Sequence, residues 1–186
     1  MTVELRVEPT PDGAPALGLR PWDDSGIQPL IDIYRDPLLR RWTRIPVTGV
    51  EDAVRWLELQ REGWRSGERL SFAVHEEDRI VGHVVVKCPA GQGDCAEVGY
   101  WTAVEARGRG IASRALETLS GWAFGTLAGV TRLELLHQVD NLASCRVAEK
   151  TGYVYRQTLP ARPPFPLDGH QHVREAPAPA VGGLPV

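Results

Sequence analysis

The sequence predicts one mixed α/β domain in which antiparallel strands precede a strand–helix–strand–helix–strand unit. Two β-rich runs separated by an acidic turn, residues 69–77 and 79–87, indicate the antiparallel part. Extended and helical patterns then alternate along the second half, over residues 95–104, 112–127, 131–137, 141–150 and 153–160. That order is typical of a sheet flanked by helices.

Local signals give the remaining elements. They are a strand at 17–22, a helix at 27–36 closed by Pro37, and a last hairpin that turns at 168–169 and returns through 170–175. Thr48 and Glu51 have the spacing of a capping box, which predicts that another helix starts there.

Composition and charge exclude several classes of protein. The 186 residues are 42% hydrophobic and 24% charged, as in a globular domain, and the net charge of -3 gives no overall attraction to nucleic acid or acidic membranes. We find no signal peptide and no apolar run long enough to span a bilayer. The three cysteines match no zinc-binding spacing, so we expect a reduced, cytoplasmic protein without a metal.

The two ends differ from the middle of the chain in composition. Residues 1–16 contain three prolines and a glycine, and residues 176–186 are rich in Pro and Gly without a charged side chain. We therefore expect a flexible segment at 1–16, a single domain at 17–175 and a disordered tail at 176–186.

A junction rich in glycine and arginine, VEARGRGIASRALETL at residues 104–119, predicts an anion site. Gly108 and Gly110 let the backbone approach a ligand closely, and Arg107 and Arg109 add positive charge. The helix that follows presents unpaired N–H groups and partial positive charge at its N-terminus. Together these features favour phosphate binding.

Three phosphate-binding patterns compete for this stretch, beside the plain alternative of a glycine-rich turn before a surface helix. The Walker pattern G-x-x-x-x-G-K-[ST] is absent, and the dinucleotide fingerprint fails at Ser113. The third pattern is R-x-x-G-x-A, formed by Arg107, Gly110 and Ala112. It resembles the pyrophosphate-binding motif of the Gcn5-related N-acetyltransferases, the GNAT superfamily.

Neighbouring segments extend this resemblance to roughly residues 17–160. AEVGYWTAVEARGRGIASRALE, DNLASCRVAEKTGYVY and RRWTRIPVTGVEDAVRWL are similar to segments of the ribosomal-protein N-terminal (Rim-type) branch. The resemblance implies the acyl-CoA N-acyltransferase fold, a mixed, mostly antiparallel sheet with a splayed pair of parallel strands and flanking helices. It also implies acetyl-CoA as cosubstrate, bound where the strands near 95–104 and 131–137 separate.

The resemblance further implies a set of cofactor-binding residues. The pantetheine arm would pair with the backbone of Tyr100, Trp101, Thr102 and Val104. The pyrophosphate would be held by the backbone amides of Arg107, Gly108, Arg109, Gly110, Ile111 and Ala112. Further cofactor contacts after the second strand would come from Asn141 and Ser144.

Two residues carry the catalytic expectations. Glu97 matches a strand position where related enzymes place a general base that works through water, and a polar residue on an open strand face is the alternative. Ser144 matches the position proposed to donate a proton to the departing thiolate, although serine is also common in the first turn of a helix. Neither Tyr153 nor Tyr155 clearly takes that acid position.

Other reactive side chains are assigned packing roles. Cys145 lies beside Ser144 but has no histidine at an evident spacing, so we expect a packed thiol. His170 and His172 share one face of a late strand and are expected not to bind metal. We place Trp42 and Trp101 near the acceptor.

Three functions stay open at this level. An α-amino group, with a pKa near ~7.7–8.0, is neutral at pH 7 far more often than a lysine near ~10.4, so one carboxylate base serves it more easily. This favours acetylation of a protein or peptide N-terminus. A small amine (antibiotic, polyamine or amino acid) and a CoA-binding module without turnover are the alternatives. A homodimer is compatible with the family, and the lack of an apolar run after GHQHVRE predicts a short final strand.

Overall fold

A computed structural model describes residues 3–88 and 93–178. Its strands form one sheet: β1 (Leu5–Val7), β2 (Leu17–Pro21), β3 (Arg69–Glu76), β4 (Arg79–Lys87), β5 (Cys95–Thr102), β6 (Arg132–Gln138), β7 (Val154–Leu159) and β8 (Gly169–Glu175). Its α-helices are α1 (Ile27–Ile33), α2 (Pro37–Trp42), α3 (Val50–Ser66), α4 (Ile111–Thr126) and α5 (Leu142–Lys150). Among these residues no helix combines the length and apolar character that crossing a bilayer requires.

The sheet is mixed and mostly antiparallel, as predicted. Its strand order is β1-β2-β3-β4-β5-β6-β8-β7. β5 and β6 run parallel, joined through α4, while the other neighbouring pairs in the described residues are antiparallel. The final strand is not short: β8 pairs with β6 over seven residues and lies between β6 and β7.

Different helices cover the two faces of the sheet. On one face, the ring of Phe72 in β3 lies 5.5 Å from that of Trp122 in α4, centroid to centroid. On the other, His83 in β4 lies 5.4 Å from Trp56 in α3. Because side chains alternate along a strand, every residue of the sheet belongs to one of these faces, here named the α4 face and the α3 face.

Both terminal segments contribute backbone pairs. Within residues 1–16, predicted to be flexible, Leu5–Val7 pairs with β2 and Val7 is buried. After β8, the N–H of Ala176 donates to the carbonyl of Thr131 at 2.7 Å. Most of the predicted tail, residues 179–186, lies outside the described residues.

Two helix starts differ from the prediction. α3 begins after Gly49, and the carboxylate of Asp52, rather than Glu51, accepts from the N–H of Thr48 at 2.9 Å. Helix α2 was not predicted from the sequence; Asp36 caps it by accepting two backbone N–H groups at 3.0 and 3.1 Å. The Asp-Pro pair was the available signal, since proline suits the first helical position.

Candidate active site

The parallel strands β5 and β6 separate halfway along their length. They pair over four residues, and the last pair is Val98 with Leu135. Beyond this point β5 stays paired with β4 as far as Thr102, and β6 stays paired with β8 as far as Gln138. The edge of β5 at residues 99–102 therefore faces an open cleft, where an extended ligand can pair with free backbone groups.

The loop before α4, residues 107–110, is here named the phosphate loop after the prediction it carries, and it presents backbone N–H groups to an open space. Gly108 and Gly110 both have a φ of +75°, which favours glycine. A Cβ at either residue would meet no atom within 4 Å. Within the described residues, the N–H groups of residues 108–110 donate to no backbone acceptor and no side chain caps α4. These free donors and the helix N-terminus form a cradle for an anion.

Both arginines of this loop are held by carboxylates that the sequence analysis did not identify. Arg107 forms an ion pair with Asp36, the cap of α2, and Arg109 forms one with Glu76 at the end of β3. The side chain of Asp36 is only 10% exposed, so solvent screens the Arg107 pair weakly. The arginines thus fix the loop against α2 and β3, and the backbone supplies the open donors.

A hydrogen-bonded chain lines the cleft on the α4 face. Ser144, in the first turn of α5, is buried, and its Oγ accepts from the hydroxyl of Tyr100 at 2.9 Å. The N–H of Ser144 donates to Oδ1 of Asn141, the cap of α5, at 3.3 Å. Burial raises the pKa of Tyr100 to about 12. Only the backbone of Tyr100 was predicted to take part, although a tyrosine at the point where the strands were predicted to separate was a usable signal.

The two tyrosines considered as acids lie elsewhere. The hydroxyl of Tyr153 is buried and shares a hydrogen bond of 2.7 Å with Ser120. The hydroxyl of Tyr155 shares one of 2.8 Å with Thr158. Tyr100 therefore takes the place beside Ser144.

Glu97 lies on the α3 face, the opposite face from Tyr100. It is in register with Lys87 of β4 and Glu134 of β6, and its Oε1 forms an ion pair with Lys87. Its Oε2 accepts no hydrogen bond within the described residues. The predicted base and the predicted acid, Ser144, thus lie on opposite faces of the sheet.

Trp101 belongs to an aromatic cluster on the same face as Glu97. It stacks on His83 with ring centroids 5.4 Å apart and meets Tyr34 edge-on at 6.1 Å. The Nε1–H of Trp22 donates to Nδ1 of His83 at 3.0 Å, and burial lowers the pKa of His83 well below its ordinary value. This neutral cluster forms a rigid apolar wall.

Trp42, also predicted to lie near the acceptor, has Arg41 as its neighbour. Trp42 ends α2 and lies under the guanidinium of Arg41, 4.7 Å from the ring centroid. Arg41 also pairs with Asp140, in the turn before α5. This pair ties α2 to the wall of the cleft that carries Ser144.

Cys145 has histidine neighbours, contrary to the prediction from spacing. Its Sγ lies 3.8 Å from Nε2 of His137 and 3.5 Å from Nδ1 of His170. His172 completes a group of four whose ligand atoms all lie within 4.8 Å of one another. The prediction failed because strand pairing, which spacing does not reveal, sets His137 beside His170.

Two surface cavities lie outside the cleft. One of 560 Å³ is lined by β6, β7 and β8, including Arg132, Glu134 and Gln171. Another of 380 Å³ is lined by Asp36 and Val104 and lies next to the phosphate loop. Neither cavity is lined by Tyr100 or Ser144. The candidate active site is therefore located by the point where β5 and β6 separate, and not by the volume of a cavity.

A comparison with protein families identifies the chain. The acetyltransferase (GNAT) domain matches residues 16–154, which include the cleft, the phosphate loop and Ser144. The chain belongs to the GNAT family and is an acetyl-CoA-dependent N-acetyltransferase. No curated protein sequence gives a match.

Solved structures share this fold. RimL, a ribosomal-protein alpha-N-acetyltransferase in complex with coenzyme A, has a TM-score of 0.79 and 20% identity, covering 86% of this chain and 94% of its own. RimJ of Mycobacterium smegmatis, in complex with a CoA disulfide, has a TM-score of 0.74 and 24% identity, covering 94% of this chain and 87% of its own. The microcin self-immunity acetyltransferase MccE, in complex with acetyl-CoA and AMP, has a TM-score of 0.77 and 19% identity, covering 86% of this chain and 92% of its own.

Proposed function

We propose that this enzyme transfers the acetyl group of acetyl-CoA to the α-amine of a protein or peptide N-terminus. The observation that carries the proposal is the cleft between β5 and β6, with the Tyr100–Ser144 hydrogen bond on one face and Glu97 on the other. The likeness to RimL, whose name gives it as a ribosomal L7/L12 alpha-N-protein acetyltransferase, supports an N-terminal acceptor.

The cofactor takes the open edge of β5. The pantetheine arm pairs with the free backbone groups of residues 99–102, as an added strand would. The pyrophosphate rests on the N–H groups between Gly108 and Ala112 at the start of α4. In this position the thioester reaches the level of Ser144 and Asn141, whose amide nitrogen has no hydrogen-bond partner within the described residues.

An α-ammonium group must lose two protons, and the departing thiolate must gain one. Glu97 takes the first proton through water with its free Oε2, while Lys87 holds Oε1. The amine nitrogen then forms a bond to the acetyl carbon, the carbon–sulfur bond of the thioester breaks, and the second nitrogen proton passes to water. Because Ser144 Oγ already accepts from Tyr100, its own proton is free for the departing thiolate, and Tyr100 can replenish it.

A panel of acceptors tests the proposal through thiol release from acetyl-CoA. We expect turnover with peptides that have free Ser, Ala or Met ends, and none with their N-blocked, lysine-containing controls. Turnover with polyamines or aminoglycosides alone would overturn the N-terminal acceptor and leave the acetyl transfer intact. Failure of every free-ended peptide to release thiol would likewise overturn the N-terminal acceptor.

The role of Glu97 has a matched control in Glu134. The two glutamates are in register on neighbouring strands and lie on the same face. We expect Glu97→Gln to lower kcat by about 10²-fold, the usual contribution of a general base, and Glu134→Gln to change it little. Equal effects of the two substitutions would remove Glu97 from the chemistry.

A further inference from the structure

The cluster of His137, Cys145, His170 and His172 joins three separate elements. His137 lies on β6, His170 and His172 lie on β8, and Cys145 lies on α5, which covers them. Register pairs His137 with His170, and His172 with the buried Leu135, so the three rings share the α4 face that α5 covers. Four donor atoms, three imidazole nitrogens and one thiol sulfur, converge within 4.8 Å.

The distances match a tetrahedral metal ion. Zinc bound at about 2.0–2.1 Å from nitrogen and about 2.3 Å from sulfur places neighbouring N and S ligands about 3.6 Å apart. The Sγ of Cys145 lies 3.8 Å from Nε2 of His137 and 3.5 Å from Nδ1 of His170. Side-chain rotations that move the donor atoms by less than about 1.5 Å would bring all four to the roughly 3.3–3.6 Å spacing of such a site.

His172 gives an independent indication of a missing ligand. It is 3% exposed, and neither ring nitrogen has a hydrogen-bond partner within the described residues. The backbone of Tyr153 lies near the ring but makes no hydrogen bond of ordinary geometry with it. A buried imidazole without a partner is costly, and coordination would satisfy it.

His137 is already oriented for coordination. Its Nδ1 lies 2.9 Å from the carbonyl oxygen of Gln138, which can only accept, so Nδ1 carries the proton. The lone pair is therefore on Nε2, the atom that faces Cys145. A carbonyl behind a histidine in this way is the usual support of a metal-ligating imidazole.

We propose that these four residues bind one Zn²⁺-class divalent ion at a closed, structural site, which replaces the expectation from the sequence that His170 and His172 do not bind metal. A donor set of three imidazoles and one thiolate selects zinc and its neighbours over magnesium or calcium. Four protein ligands leave no open position for catalysis, so the ion braces α5 and the strands beneath it and takes no part in acetyl transfer. Binding forms the metal–sulfur bond and releases the Cys145 thiol proton to solvent. Three of the ligands are partly exposed, which gives the ion a path of entry.

The test titrates the full-length, reduced protein with Co²⁺, using Zn²⁺ in competition. We expect one Co²⁺ per chain, with the visible bands of tetrahedral cobalt and a thiolate-to-cobalt charge-transfer band. Cys145→Ser should abolish the charge-transfer band, and His170→Gln should weaken binding by at least about tenfold. Cys95→Ser removes another partly buried thiol and should change neither result.

Thermal unfolding and activity complete the test. Zn²⁺ should raise the Tm of the wild type and of Cys95→Ser, but not that of Cys145→Ser or His170→Gln. Chelation should lower Tm and leave kcat for acetyl transfer within about twofold at a temperature where the protein stays folded. Absence of stoichiometric Co²⁺ binding to the folded wild type, or a charge-transfer band that persists in Cys145→Ser, would overturn the site.

Discussion

The hydroxyl of Tyr100 donates to Oγ of Ser144 at 2.9 Å, and this contact joins β5 to α5 across the point where β5 and β6 separate. Both groups are buried or nearly so, and burial raises the pKa of Tyr100 to about 12. The tyrosine thus stays protonated throughout the range in which the enzyme can be assayed, and its proton holds the serine oxygen in one orientation.

Removal of this pair should slow the chemical step. We expect Ser144→Ala to lower kcat by about 10²-fold and Tyr100→Phe by less, because Tyr100 reaches the thiolate only through Ser144. The KM for acetyl-CoA should change by less than about threefold. Steady-state kinetics give both constants, and Tyr155→Phe, which removes a hydroxyl outside the cleft, is the control. A kcat within twofold of wild type for Ser144→Ala would exclude it as the proton donor.

The two buried tyrosines should make the fold sensitive to alkali. Burial raises the pKa of both Tyr100 and Tyr153 to about 12. Above pH 10 the unfolded chain loses these protons while the folded chain keeps them, so the free energy of unfolding falls as pH rises from about 10 to about 12. Each tyrosine accounts for about 2–3 kcal/mol at the upper end.

Urea unfolding between pH 8 and 11.5 measures this loss. We expect the slope to be reduced in Tyr153→Phe and in Tyr100→Phe, and to be unchanged in Tyr155→Phe. An identical alkaline slope in all four proteins would mean that other groups cause it.

The Arg107–Asp36 ion pair should protect the fold against acid. Burial raises the pKa of Asp36, but hydrogen bonds from Arg107 and from two backbone amides, with the charge of Arg107, outweigh it and leave the pKa below its ordinary value. The stabilisation is therefore present above about pH 4 and is lost as pH falls through the lower, folded pKa. Arg107→Gln should cost about 1–3 kcal/mol at pH 7 and move acid unfolding to higher pH.

Arg109→Gln is the matched control, because it removes an ion pair from the same loop but one that is more exposed. Circular dichroism from pH 7 to pH 2 follows both variants. If Arg109→Gln shifts acid unfolding as much as Arg107→Gln, the burial of Asp36 is not the cause.

Two glycine substitutions can separate the contribution of the phosphate loop to acetyl-CoA affinity from the contribution of α4 to folding stability. Gly110→Ala places a side chain at a φ of +75°, which should cost about 1 kcal/mol and weaken acetyl-CoA affinity by distorting the loop. Gly121 lies inside α4 with open space around its Cα, so Gly121→Ala should stabilise the protein by up to about 1 kcal/mol and leave affinity unchanged. Calorimetry with acetyl-CoA distinguishes the two, and equal affinities would remove the loop from cofactor binding.

Much of the fold could be predicted because its signals are local. The glycines of the phosphate loop, the cap Asn141 and the alternation in β3 and β4 each lie within a few residues of the feature they specify. The error at α3 has the same origin: Glu51 and Asp52 both suit the first turn of a helix, and the structure uses Asp52.

The partners of the site could not be predicted in this way. Asp36 reaches Arg107 across 71 positions, and Tyr100 reaches Ser144 across 44. Such pairs depend on how strands and helices are arranged, which one sequence does not specify by spacing. The histidines around Cys145 were missed for the same reason, since β8 brings two of them to the end of β6.

The position of β8 has a consequence for synthesis on the ribosome. This strand follows β7 in the chain but inserts between β6 and β7, pairing with seven residues of one and five of the other. A nascent chain that has emerged only as far as β7 therefore has no partner to close β6, and the wall beneath α5 stays incomplete. Competence for acetyl transfer should consequently appear abruptly, when β8 leaves the exit tunnel and completes the pairing of β6.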